Sequence, residues 1–153
     1  MDEELEYYYT NTGAHCNYCI YSSFVFLTNV VAGIYFKQYL YALLFLFLTY
    51  TSIVHHSSKT KLTNILDKIA LYSIIFYGGY KFYTNIKNQD QVYLKNIFKY
   101  IFIVTTFLSV VYLYLYGYLT NNYVFHHEYK IAQLYHVLMH LISSFGHHII
   151  IAL

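Results

Sequence analysis

Residues 131–153 read IAQLYHVLMHLISSFGHHIIIAL, an apolar run long enough to cross a bilayer, which takes about 20 residues at 1.5 Å each. Two histidines, His136 and His140, stand one helical turn apart inside it. An ionisable group in hydrocarbon is costly, so such side chains usually face a bundle interior and mark a functional site. The run therefore predicts both a membrane-spanning helix and a chemical centre on that helix.

The rest of the chain supports a membrane setting. Of its 153 residues 58% are hydrophobic and only 10% are charged, whereas roughly a quarter of a soluble domain is charged. Such a chain cannot cover a water-facing surface. Spans of approximately 18–36, 38–56, 65–84, 97–119 and 131–153 are expected. Because hydrocarbon offers no partner to backbone N–H and C=O groups, these spans must be helices despite their strand-like Tyr, Ile and Val content. The expected fold is an all-α integral membrane protein: one transmembrane helical domain over 1–153, a polytopic bundle of about five helices.

The connections are short and polar. Lys37-Gln38 is so brief that the first two spans form a tight hairpin, and the later connections run from Ser57 to Asn64, Asn85 to Asn96 and Thr120 to Lys130. Lys81, Lys87, Lys95 and Lys99 surround the third of them. With Lys37, they put that side in the cytosol and the N-terminus outside.

Composition also excludes some classes. The net charge of +2 rests on lysines with no arginine, and no basic stripe suggests nucleic acid. The 22 tyrosines and 12 phenylalanines accompany an absence of Pro and Trp, which reads as A+T-rich coding rather than an aromatic ligand box. His15-Cys16-Asn17-Tyr18-Cys19 holds a single C-x-x-C; a zinc site of that kind needs a second pair, so the cysteines read as incidental. The N-terminus, Met1-Asp2-Glu3-Glu4-Leu5-Glu6, is acidic where a signal peptide is basic, and the first apolar run reads as a permanent anchor.

A second set of polar residues matches the first. Ser52 and His56 are four apart, as are His136 and His140, so each pair projects from one helix face. Successive spans alternate direction. The end of the second (His56), the start of the third (Asp67) and the start of the fifth (His136, His140) therefore meet at one depth. Three neutral imidazoles leave a tetrahedral zinc one position for water. A bound ion would lower the pKa of that water and polarise a carbonyl, with Asp67 as a hydrogen-bond acceptor behind the ligands or as proton shuttle, and Ser52 as donor to water or developing oxyanion charge. His55 points about 100° away from His56 and is the poorer ligand. His126-His127 in a loop and His147-His148 beyond the site read as structural.

Ser52-Ile53-Val54-His55-His56, Asp67 and His136-Val137-Leu138-Met139-His140 resemble the superfamily of membrane hydrolases that includes alkaline ceramidases, progestin and adipoQ receptors and hemolysin III-like proteins. The ceramidase branch looks closest. Ten residues separate His56 from Asp67, Ile65-Leu66-Asp67 resembles that branch's Leu-Leu-Asp, and His140-Leu141-Ile142-Ser143-Ser144-Phe145-Gly146 resembles its final segment. Asn29 matches a first-helix Asn. The resemblance covers roughly 22–84 and 131–150. It implies zinc on His56, His136 and His140, and catalytic roles for Ser52 and Asp67.

The family has seven spans where five are expected here, two being absent between Asp67 and the final histidines. Lys68 stands where ceramidases have an acid, and Asp2, Glu3, Glu4 and Glu6 do not match their calcium-binding cluster. The implied function is a zinc-dependent hydrolase cleaving an amide or ester of a membrane lipid, ceramide first, in an endomembrane (ER or Golgi) of a eukaryote or of a eukaryotic virus's host. A second copy would complete the bundle. The opposing expectation is a non-catalytic receptor or structural bundle with a metal-stabilised histidine site.

Overall fold

The computed structural model describes residues 17–58, 60–88 and 94–153. Among them there are helices and turns and no strand: α1 (Asn17–Ser23), α2 (Phe26–Tyr35), α3 (Tyr39–Ser58), α4 (Lys61–Lys87), α5 (Leu94–Val111), a short α6 (Gly117–Thr120) and α7 (Tyr129–Ile151). A π-helical turn, Tyr112–Tyr116, joins α5 to α6, and a 3₁₀ turn, Tyr123–Phe125, precedes α7. The protein is an all-α polytopic bundle.

Four helical stretches are long and apolar enough to cross a membrane: Tyr18–Tyr35, Tyr39–Ser58, Asn96–Thr120 and Tyr129–Ile151. The 27 residues of α4 also reach that length, but Lys61, Asp67, Lys68, Lys81 and Lys87 make it more polar. Large apolar side chains lie on the outside of the bundle, including Leu43, Leu46, Phe47 and Tyr50 on α3 and Phe98, Ile101 and Phe107 on α5. In water that surface would be a liability; against acyl chains it is the ordinary one.

The interior is set by helical periodicity. On α3, Tyr41, Phe45, Leu48, Ser52 and His56 recur at three- and four-residue steps and are all buried. Tyr41, Phe45 and Leu48 pack with Phe26 of α2, Ala70 and Ile74 of α4, Ile103 of α5, and Ile150 and Ile151 of α7. The helix α7 touches α1, α2, α4 and α5. It is the strut against which the other helices close.

Two local features position the site. The α2–α3 hairpin turns on Lys37, whose φ of 57° is left-handed. The Lys37 N–H bonds Ile34 O at 3.0 Å and the Gln38 N–H bonds Gly33 O at 2.7 Å, closing the end of α2 as a Schellman turn. A Cβ on Gly33 would sit 2.9 Å from the Ala42 nitrogen, so the two helices cross at that glycine.

The second feature is the start of α4. Thr60 and Thr63 cap it reciprocally: the Thr63 N–H bonds Thr60 Oγ1 at 3.2 Å, and the Thr60 N–H bonds Thr63 Oγ1 at 3.1 Å. That box starts the helix at Lys61, ahead of the expected boundary at 65, and Asp67 consequently lies inside the helix.

The first expected span is also divided. Ser22 and Ser23 both turn back to the Cys19 carbonyl, at 3.0 and 2.8 Å, and the backbone between α1 and α2 tightens to three-residue bonds such as Phe24 N to Tyr21 O. Serine hydroxyls that bond back into the preceding turn bend helices. The bend brings both serines to the interior.

Candidate metal centre

His56 ends the buried stripe of α3, and His136 and His140 lie on α7 near its start. Their ligand nitrogens all lie within 4.8 Å of one another. The ring centroids are 4.8 Å apart for His56 and His136, 4.7 Å for His136 and His140, and 5.6 Å for His56 and His140. The three are close enough to hold a metal ion. His56 is 6% exposed and His140 8%. His55, beside His56 on the same turn, does not join the group.

The donor set fits a zinc-like ion. Three imidazoles form a neutral tripod, and tetrahedral bonds of about 2.0–2.1 Å would draw the nitrogens to roughly 3.3 Å separation.

Around this tripod the structure reveals a hydrogen-bond arrangement that the spacing argument missed. Ser22 Oγ lies 2.8 Å from His140 Nδ1. The Ser22 hydroxyl proton is already directed to the Cys19 carbonyl at 3.0 Å, so the imidazole is the donor and carries its proton on Nδ1. That leaves the Nε2 lone pair for a metal. Outer partners that fix a ligand's tautomer in this way are a general feature of metal sites.

Ser52 is handled similarly. It is 1% exposed, and its Oγ lies 3.0 Å from Ser23 Oγ, whose proton goes to Cys19 O at 2.8 Å. Ser52 therefore donates to Ser23. The expected donation from Ser52 to water or oxyanion requires a change of this bond. One carbonyl, that of Cys19, anchors both relays. Cys19 itself is buried and disulfide-bonded; Cys16 and the acidic residues Asp2, Glu3, Glu4 and Glu6 lie outside the described residues.

Asp67 is not one of the grouped ligand residues. It is half-buried on α4, where Oδ1 lies 3.2 Å from Thr51 Oγ1, and the same hydroxyl lies 3.2 Å from the Leu48 carbonyl. Thr51 and Ser52 are adjacent on α3 and point about 100° apart. Asp67 thus flanks the site from α4 while Ser52 faces α1. Thr51 is a second residue that sequence reasoning missed. Its hydroxyl is only informative once α3 and α4 are packed.

A layer of phenylalanine separates this centre from a second polar layer. Phe26 lies 5.0 Å from the His140 ring and Phe45 5.3 Å from that of His147. Beyond them, His147 Nδ1 meets Tyr41 OH at 2.7 Å. Ser144 donates its hydroxyl to Asn29 Oδ1, and Asn29 Nδ2 donates to Ser144 O and approaches His148 Nδ1, both at 2.9 Å. These bonds tie α2 and α3 to α7, a structural use of polar groups in a membrane interior.

Compared with family models, curated proteins and solved structures, the chain matches none. Fold and site define a multi-pass helical membrane protein with a three-histidine cluster in which His56 and His140 are buried and His136 is half-buried.

Proposed function

We propose that this protein is a zinc-dependent membrane hydrolase that cleaves an amide, or an ester, of a membrane lipid, with a ceramide-like substrate first. The observation that carries the reading is the close grouping of His56, His136 and His140, supported by the resemblance of Ser52, Asp67 and these histidines to the ceramidase branch. When bound, zinc supplies a water of lowered pKa and a Lewis acid for the scissile carbonyl.

The chain's own residues have the remaining tasks. Ser22 would hold the His140 ring with Nε2 left available to a metal ion. Asp67, at the edge of the site, takes and returns the proton at its carboxylate, with Thr51 orienting Oδ1. Ser52 directs its hydroxyl to Ser23 at rest and turns to oxyanion charge during reaction. The Phe26 and Phe45 layer closes the inner wall against water. An endomembrane location and a second copy that completes the enclosure belong to the same proposal.

One observation favours a non-catalytic alternative. Asp67 and Ser52 are both engaged away from the tripod, as they would be in a metal staple that only joins α3 to α7. Metal analysis followed by mass-spectrometric screening of ceramides, phytoceramides and phospholipids separates the two. Zinc with turnover supports the hydrolase; zinc without turnover on any of them supports the staple; absence of zinc removes both.

A further inference from the structure

The helix α7 carries one buried polar side chain for which the proposed chemistry has no use. Gln133 is 8% exposed and lies three residues before His136 and seven before His140. Seven residues are nearly two turns, so Gln133 and His140 project from α7 within about 20° of each other. Along the helix axis Gln133 stands about 4.5 Å from His136 and about 10.5 Å from His140, on the side of the membrane face where α7 begins. Helical side chains lean towards the start of their helix, which sets the Gln133 amide nearer that face still.

Other buried polar side chains have partners. Asn29, Thr49, Thr51, Ser52, Thr106 and Ser144 are buried, and each makes a side-chain hydrogen bond. Gln133 makes none among the described residues, and neither its Oε1 nor its Nε2 is sealed off from the surrounding space. A buried amide left unmatched carries a desolvation cost that an apolar side chain of similar volume would not. A polar group held within a membrane bundle at such a cost marks a binding site.

What it can bind follows from its chemistry. A carboxamide is neutral and offers an acceptor oxygen and two N–H donors. A hydroxyl, donor and acceptor in one group, matches it. A phosphate brings a charge, and burying an anion away from any cation is costly; Lys130, three residues before Gln133, is exposed. Depth agrees with the hydroxyl. A lipid with its head at the membrane face and its chains inward presents a head hydroxyl first and the acyl linkage deeper, in the order Gln133, His136, His140.

We propose that Gln133 selects a lipid by its head, bonding a free hydroxyl a few bonds from the linkage held at the three histidines. The inference rests on the lipid-hydrolase reading for its class of ligand. It adds that the head is uncharged and its hydroxyl unblocked. Gln133 touches the head and takes no part in proton transfer.

The test is binding to the full chain as purified, in detergent micelles at low temperature, with native mass spectrometry of the intact bound lipid. Three forms of one N-acyl amino alcohol with a single hydroxyl are compared: the free alcohol, its methyl ether and its phosphate ester. The free alcohol is expected to bind about tenfold more tightly than the ether, the worth of one hydrogen bond to a group otherwise unmatched. The phosphate ester is expected to bind no better than the ether. Gln133→Met, which keeps the length of the side chain, should bind alcohol and ether alike. Its zinc content should be unchanged and its unfolding midpoint no lower than that of wild type.

Equal binding of alcohol and ether by wild type would overturn the proposal without recourse to any variant. So would tighter binding of the phosphate ester, which would assign recognition to Lys130. Loss of zinc from Gln133→Met would make Gln133 a metal ligand instead. A lowered midpoint in that variant, with the preference for alcohol retained, would make it a structural amide. The outcome is separate from that of the hydrolase reading, because intact lipid is weighed whether or not any is cleaved. The preference stands without turnover, and turnover with equal binding of alcohol and ether would strike Gln133 alone.

Discussion

Ser22 Oγ sits 2.8 Å from His140 Nδ1 across the interface of α1 and α7, although the two residues are 118 positions apart. The contact decides which nitrogen of His140 is free. Ser22→Ala is therefore expected to lower zinc affinity by about 10–100-fold, the usual effect of losing a ligand's outer partner. Chelator competition on purified protein measures it. Ser22→Thr, which keeps the hydroxyl, should stay near wild type; equal affinity of Ser22→Ala and wild type would show that the serine does not orient the ring.

The ligand set itself has a simpler test. Wild-type protein is expected to carry close to one zinc per chain, and the His136→Ala/His140→Ala double variant almost none. His55→Ala should keep its metal, because His55 stands outside the converging group. Elemental analysis after gel filtration reads all three. Undiminished zinc in the double variant would remove the site.

Much of this was legible in the residues, and the reason is physical. Apolar runs of bilayer length force helices irrespective of local propensity, so the spans expected at 18–36, 38–56, 97–119 and 131–153 each meet a long apolar helical stretch. Four-residue spacing and alternating span direction likewise bring His56, His136 and His140 to one depth. The serines of the α1–α2 bend are different. Ser22 and Ser23 look like any small polar pair, and their partners, His140 and Ser52, are fixed only when three helices close. Nor could spacing assign Asp67 its partner: the contact with Thr51 is fixed only when α3 and α4 pack.

The α2–α3 crossing gives a prediction about assembly. A methyl group on Gly33 would meet the Ala42 backbone nitrogen at 2.9 Å and Cα at 3.1 Å, and backbone cannot yield as a flexible side chain can. Gly33→Ala should destabilise the bundle by about 1–3 kcal/mol, the usual range for overpacking. The midpoint of thermal unfolding in detergent should fall accordingly. An unchanged midpoint would mean that the helices separate freely there.

Tyr41 and His147 should report on the second polar layer without touching the metal. Removing the hydroxyl in Tyr41→Phe leaves His147 Nδ1 without its 2.7 Å partner. Interhelical hydrogen bonds in membranes average about 0.6 kcal/mol, with an upper end near 1.7. A small loss of stability with unchanged zinc content is expected. Loss of zinc in this variant would show that the phenylalanine layer does not insulate the two clusters.

Asp67 provides the decisive separation of hydrolase from staple. Its carboxylate touches Thr51 and not the histidine group, so Asp67→Asn should leave zinc bound. The amide side chain preserves the shape and can still accept from Thr51, but it cannot take a proton. If the proposed hydrolysis is correct, turnover of lipid amides should fall by about 10²–10⁴-fold, the range attributable to a positioned acid–base group. Thr51→Val should produce a smaller loss, because it disturbs the orientation of Asp67 without removing it. The two variants are compared at equal zinc content by mass-spectrometric product formation. Full activity in Asp67→Asn would assign proton transfer to another group, while a parallel loss of zinc and activity would make Asp67 a support of the metal rather than a participant in the chemistry.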